Sequence, residues 1–426
     1  MKASPSLALF VLMTFVANSL AFIMRKSFSS RICPHRLSTT YFCFSDKRQY
    51  SRSAMSMGLS VKIVGGGLAG LATSYHLVES GKCERITICD TRSSPGQGGA
   101  SSVAAGLMHP FTPQGKLIWA GLTGLEESVK LLKFAEPFSS SGRQLLSTPS
   151  ARILRPCFTD KSLADWRKAA SERSSWISEV SVEEYASNVG QSLREGDVPL
   201  GVFSINNIHV IDSPSYLQAL WAGMLARYGD SCVMEWEQGH VESIEQEVQG
   251  GRYDTVVVAS GAGVQLLWGG AGPLPFTYVR GQNLYYEHEE AQCASNFTGT
   301  LSGEYVCRTG KVFVCGATHE YGELDALLAM PPSKEHASEA LTPKVNRLYP
   351  RLRGKEPIDC KAGIRVASPR THLGRLPVIA QHPLHGRKAW LISGFGSRGL
   401  IHHAVFGKML ARAITDQEEL PAELGL

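Results

Sequence analysis

Gly65, Gly67 and Gly70, with Asp90 twenty residues further on, have the types and spacing to bind the pyrophosphate and ribose of a dinucleotide. Gly65 makes the tight turn, Gly67 lets the diphosphate approach the backbone, and Gly70 lets the following helix pack close to the preceding strand. Gly66, Leu68 and Ala69 complete the loop and the first helical turn, whose amides supply donors to phosphate. Asp90 can accept from a ribose hydroxyl. Its charge argues against the extra 2′-phosphate of NADP and leaves NAD and FAD both open.

Such a loop works only where a strand ends and a helix begins. The β-branched run Val61–Val64 predicts that strand, and Leu71, Tyr75 and Val78 recur at core spacing for the helix. "RITICD", residues 85–90, predicts a second strand that ends in the acid.

Residues 101–110, "SSVAAGLMHP", form a thin, small-residue stretch just beyond the ribose acid. A nicotinamide enzyme has no particular use for it, whereas a flavin dinucleotide must run its pyrophosphate and ring along backbone. "VAAGL" resembles the flavin-facing segment of the D-amino-acid oxidase and glycine oxidase family. "GASSVAAGLMHP" is also similar to the oxidase half of the bacterial enzyme that trims carboxymethylaminomethyl groups from tRNA wobble uridine. On this resemblance Ser101, Ser102, Ala105, Gly106 and Leu107 contact noncovalently bound FAD, and the run is thin because the cofactor occupies the space.

Further segments follow the same family order. "GHVESIEQ" resembles the strand whose Val241 backbone faces adenine, and "YDTVVVASGAG" the strand returning to the pyrophosphate at Ser260 and Gly261. "LISGFGSRGLIHHAVFGKMLARAI" resembles the final glycine loop and helix, with Gly394, Gly396, Ser397, Gly399 and Leu400 at the flavin ring. The implied fold class is α/β: a Rossmann-like FAD-binding domain of glutathione-reductase type, interleaved with an α+β substrate domain containing an antiparallel sheet. FAD-binding segments are expected at 59–110, 206–272 and 359–426, and substrate-domain segments at 111–205 and 273–358.

The resemblance also carries roles. Arg365, in "AGIR", occupies the carboxylate-binding position, and Arg398, in "GSRG", a second position near the substrate. A planar guanidinium suits a carboxylate because it can donate two parallel hydrogen bonds. Tyr305 resembles a strand tyrosine whose hydroxyl helps hold the same group, although the proline usual two residues later is here Cys307. His109 lies beside the flavin position and is a candidate substrate contact. Relatives that tether flavin do so through a cysteine at about the position of Arg365, so no covalent link is expected. His402 and His403 are read as packing residues, with no metal site.

The activity implied is oxidation of the C–N bond of an amino acid or a carboxylate-bearing secondary amine. The imine is then hydrolysed, and oxygen or another acceptor takes the electrons. The alternatives are a dehydrogenase, an oxidase acting on carboxymethylaminomethyl-uridine, and a flavin-carrying scaffold without turnover.

The first 58 residues differ from the rest. Lys2 precedes an apolar run, Leu7–Val16, and "ANSLAF" follows, in the manner of a signal peptide. Residues 24–58 then read as a transit peptide, rich in Ser and Arg. The pair resembles the two-part leader of nucleus-encoded plastid proteins in algae with secondary plastids. A plastid destination is therefore expected, with mitochondrion or secretory pathway as alternatives. This leader holds eight basic residues and one acid, so the net +5 of the whole chain leaves the remainder near −2. The basic excess belongs to the leader, nucleic acid is not an expected partner, and no membrane span is expected beyond it. Eight of the ten cysteines lie in the remainder without a Cys-x-x-Cys pair, as for buried thiols.

Overall fold

The computed structural model describes residues 58–140, 145, 151–190, 193–269, 272–288, 297–310 and 312–425. The expected leader lies outside the described residues except for Gly58.

Two large sheets dominate the described residues, beside two short two-stranded ones. The smaller of the large pair is built around Leu59–Val64, whose Val61 and Ile63 are wholly buried. It pairs in parallel with Cys83–Asp90 on one side and Thr255–Val258 on the other. Val233–Gln238 extends the first side and Gly386–Ser393 the second, both parallel, and Val378–His382 closes that edge antiparallel. A parallel sheet needs cover on its faces, which explains the unbroken apolar run of Thr255–Val258. Cover comes from the helices Leu68–Glu79, Gly121–Ala135, Ser213–Tyr228 and Gly399–Thr415. The first and last of these touch backbone to backbone, since a methyl on Gly407 would lie 2.9 Å from the Ala72 carbonyl carbon.

The larger sheet runs in the order Asp359–Ala367, Thr277–Glu287, Val312–Gly316, Glu304–Thr309, Phe297–Ser302, Arg152–Cys157, Gly201–Ile205, Ile177–Val180, with Glu320–Tyr321 beside the start of the second strand. All its pairings are antiparallel except that of Phe297–Ser302 with Arg152–Cys157. Side chains alternate between faces. Leu154, Val202, Val306 and Cys315 pack under the helix Lys334–Leu348, while Ile153, Phe203, Cys307 and Val314 meet Trp166 of the helix Asp160–Glu172. Thr159 starts that second helix by accepting from the Ser162 amide at 3.2 Å.

The strand Asp359–Ala367 joins the two layers. It hydrogen-bonds to Thr277–Tyr285 in the larger sheet, and at its end the Gly396 amide donates to the Val366 carbonyl at 2.7 Å. The segment expected as a strand around Val241 differs. The strand lies upstream at Val233–Gln238, and Ser243 caps a helix over Ile244–Gln249, so the Val241 backbone is in a loop. The seven described cysteines are all free, and six of them are buried. No helix among the described residues is long and apolar enough to cross a membrane.

Candidate active site

A cavity of about 1080 Å³ is lined by residues of both sheets. That exceeds the usual span of a single small-ligand pocket, roughly 300–1,000 Å³, and gives room for a dinucleotide and a second molecule. Of the candidate residues, Gly66, Gly70 and Ser102 do not line it; all the others do.

At the dinucleotide end the glycines do the work their spacing implies. Gly65 has φ +108°, and a methyl on Gly70 would come within 1.9 Å of the Gly65 carbonyl oxygen. Gly67 is different: a side chain there would meet only Ser101, at 3.0 Å, so its smallness leaves space rather than avoiding a clash. Asp90 accepts from the amides of Gly66, at 2.8 Å, and Arg92, at 2.9 Å, which fixes the carboxylate and leaves it further acceptor capacity. Ser101 Oγ accepts from the Leu68 amide at 3.2 Å. Ser260 Oγ is buried in the cavity wall without a hydrogen-bond partner among the described residues. An open cradle at Gly67, an oriented carboxylate and an orphaned hydroxyl fit a bound dinucleotide.

Gly106 has a second reason to be glycine. Its φ of +82° and its bond to the Ile211 amide at 3.0 Å press it against that backbone, where a methyl would fall 1.9 Å from the Ile211 carbonyl oxygen. Chain packing alone therefore demands a thin residue here, on a segment that also lines the cavity. Ser102 donates to the Gly99 carbonyl at 2.9 Å.

The other end of the cavity is cationic. Arg365 contacts the Thr318 carbonyl at 3.5 Å and has no carboxylate partner among the described residues. Arg398, at the start of the last helix, has none either. Burial disfavours the charged form of both guanidiniums. Arg280, on the same wall, is the contrast: it is 2 % exposed, pairs with Glu320, and donates to the Pro331 carbonyl at 2.6 Å. A cation partly withdrawn from water without a counter-ion is costly. Two half-buried ones lining the cavity suit an anionic ligand.

His109 is held neutral, its pKa pushed down to about 4 by burial and then by Arg398 and Arg155. Its Nδ1 accepts from the Phe111 amide at 3.3 Å, so Nε2 carries the hydrogen and can donate. Tyr305 donates to Asn283 Oδ1 at 2.8 Å, and Asn283 Nδ2 donates to the Val103 carbonyl at 2.7 Å. The hydroxyl proton expected to help hold a carboxylate is therefore spent on Asn283, and the phenol oxygen offers the cavity an acceptor.

Sequence reasoning missed Asn283, His319 and Arg155, all lining the cavity. Only Arg155 left a signal: in "RILRPC" it alternates with Ile153 and Cys157, placing a charge on an apolar face. His402 and His403 prove to be packed inside: His402 Nε2 donates to the Trp119 carbonyl at 3.2 Å, and His403 donates through Nδ1 to the Leu400 carbonyl at 3.1 Å, leaving Nε2 to accept from the Tyr216 hydroxyl at 2.8 Å. Elsewhere, Glu245, His382 and His385 bring ligand-type atoms within 4.8 Å of one another. Both His382 nitrogens are already engaged, by the Gly269 carbonyl and the Leu384 amide.

Comparison with known proteins agrees with this geometry. The profile of the family described as DAO, FAD dependent oxidoreductase, matches residues 60–413. The tRNA 5-methylaminomethyl-2-thiouridine biosynthesis bifunctional protein of Polaromonas sp. is 25% identical over 406 residues, covering 85% of this chain and 58% of that protein. Glycine oxidase from Geobacillus kaustophilus superposes with a TM-score of 0.69 at 20% identity, covering 87% of this chain and 99% of the other. Iminodiacetate oxidase from Chelativorans sp. BNC1 gives 0.65 at 18% identity, covering 86% and 98%. These two likenesses show a shared fold.

Proposed function

Because the chain belongs to the DAO family of FAD-dependent oxidoreductases, we propose that it oxidises the C–N bond of an amino acid or of a secondary amine bearing a carboxylate. FAD, held without a covalent link, supplies the two-electron acceptor. Water hydrolyses the resulting imine, and oxygen is the final electron acceptor. The observation that carries the substrate class is Arg365, a half-buried guanidinium on the cavity wall with a single backbone contact and no carboxylate partner among the described residues.

The chain's own residues then divide the work. Arg365 grips the substrate carboxylate with its planar fork, and Arg398 adds positive potential at the start of the last helix. The Tyr305 oxygen, its proton already given to Asn283, accepts from the substrate amine and turns it. His109, neutral at physiological pH, donates through Nε2 without adding a third charge. Gly65, Gly67, Asp90 and Ser260 would hold the dinucleotide, with the loop 394–396 lining the same cavity. Names of similar proteins point the same way, since two of them act on glycine and iminodiacetate, each an amine with a carboxylate. We also propose that residues 1–58 direct the protein to a plastid.

The test is anaerobic mixing of purified protein with a panel of small amino acids and N-substituted glycines while flavin absorbance is followed. Bleaching by a carboxylate-bearing amine is the expected result. A flavin that no member of the panel reduces would leave a scaffold.

A further inference from the structure

Arg155 is a third guanidinium on the cavity wall, and neither the family position of Arg365 nor the loop of Arg398 accounts for it. It sits on the strand Arg152–Cys157 and is 7 % exposed. Its terminal nitrogens donate to two carbonyls, Leu301 at 2.8 Å and Pro113 at 3.4 Å, and its plane lies 5.4 Å from the centre of the Trp166 ring. The Trp166 indole donates to the same Pro113 carbonyl at 3.0 Å. The Arg155 Nε is buried with no partner, and no carboxylate pairs with the group among the described residues. Two neutral carbonyls and an indole fix this cation in place without neutralising it. An anion is the missing partner.

That anion is not the one held at Arg365. In the larger sheet the strand of Arg155 and the strand of Arg365 are separated by four others, those of Thr277, Val312, Glu304 and Phe297. Five strand steps of about 4.8 Å each span roughly 24 Å along the sheet, so the two guanidiniums enter the cavity from strands on opposite sides of the strand of Tyr305. Tyr305 lies between: it is the cross-strand partner of Leu301, whose carbonyl holds Arg155. The cavity thus presents one fixed cation on each side of Tyr305.

We propose that the substrate is an amine with two acidic groups, one beside the reacting C–N bond at Arg365 and a second several bonds away at Arg155. This names the substrate class of the reaction proposed above and rests on that reading of Arg365. A diacid bridges the two cations, whereas a monoacid leaves Arg155 uncompensated.

The experiment uses FAD-loaded protein and straight-chain acids that cannot be oxidised at nitrogen, comparing pentanoate with pentanedioate and heptanoate with heptanedioate by calorimetry and by perturbation of the flavin spectrum. One diacid of suitable length should bind roughly ten- to hundredfold tighter than its monoacid, the worth of a charge-assisted hydrogen-bonded pair. Arg155→Gln should abolish that ratio, and Arg155→Lys should keep part of it. Turnover is then compared for N-butylglycine and N-(3-carboxypropyl)glycine, where kcat/KM should favour the diacid by a similar factor. Equal affinity for monoacids and diacids at both lengths overturns the proposal, as does a preference unchanged in Arg155→Gln. Should that variant fail to retain flavin, the wild-type ratios and Arg155→Lys decide. A diacid preference with no flavin reduction by any amine would overturn the oxidase reading, and the substrate class with it, while leaving a diacid-binding site at Arg155; reduction without a diacid preference would overturn this proposal alone.

Discussion

Tyr305 donates its hydroxyl hydrogen to Asn283 Oδ1 at 2.8 Å, and the direction of that bond is dictated by a third group. The Asn283 amide nitrogen must face the Val103 carbonyl, 2.7 Å away, so only its oxygen is left for the phenol. A strand of the larger sheet is thereby tied to the segment that runs beside the cofactor site.

Cutting that tie leaves partly buried polar groups unsatisfied. Asn283→Ala should lower unfolding free energy by about 1–3 kcal/mol, read from urea midpoints. Tyr305→Phe should cost less, because it removes a donor and strands only one acceptor. The double variant should fall short of the sum of the two; full additivity would show that the chain of bonds does not act as a unit.

The cofactor site gives a prediction by colour. Purified protein should be yellow, and acid precipitation should release FAD into the supernatant. Gly67→Leu should fold, since a β-carbon there meets only the Ser101 side chain, at 3.0 Å, and the rest of the leucine points into the cavity, yet come off the column colourless because the leucine occupies the cradle. Retained FAD in that variant would place the dinucleotide elsewhere.

At Arg365, substitution by alanine removes charge-assisted hydrogen bonds worth about 1.5–3 kcal/mol, a roughly ten- to hundredfold loss in kcat/KM. Lysine should rescue little, because a point charge does not reproduce the fork. FAD content should be unchanged in both. Equal flavin reduction rates in wild type and Arg365→Ala, across the whole amine panel, would remove the site.

Stability should fall in mild acid. Burial pushes His402 and His403 each down to about 4, below the ordinary value of about 6.5 expected in the unfolded chain. The unfolded state therefore binds more protons in between. The stabilisation is complete above about 6.5 and is lost as pH falls toward 4. Urea midpoints at pH 7.5 and 5 should differ, and His402→Gln, which can still donate to the Trp119 carbonyl, should reduce the difference. A midpoint independent of pH in wild type would contradict the burial of both rings.

The leader is tested by fusion. Residues 1–58 ahead of a fluorescent protein should bring it to a plastid, and replacing Phe22 should strand it in an earlier compartment. Mitochondrial or cytosolic fluorescence from the unmodified fusion would count against the assignment.

The glycine loop was readable because its parts are local: strand, turn, helix and acid fall within thirty-odd residues, and each has a mechanical reason to be where it is. Arg365 and Arg398 came through resemblance and both reach the cavity. Asn283 and Arg155 could not be placed because their meaning depends on strand order, Arg155 gaining its surroundings from Leu301 in a distant segment as well as from nearby Trp166. Gly106 has a further constraint the sequence did not show, since the clash it avoids is with Ile211, about a hundred residues away. The strand near Val241 was misplaced because Ser243 caps a helix just where the sequence reads as extended.

The close crossing of the last helix on the first has a consequence for how the protein is made. Leu68–Glu79 cannot complete its packing until Gly407 arrives at Ala72, and Leu59–Val64, already beside Cys83–Asp90, lacks its second neighbour until Thr255–Val258 has emerged. Contacts this distant in sequence form late. The smaller sheet and its covering helices therefore stay incomplete in a nascent chain until the segment around Gly407 has been synthesised.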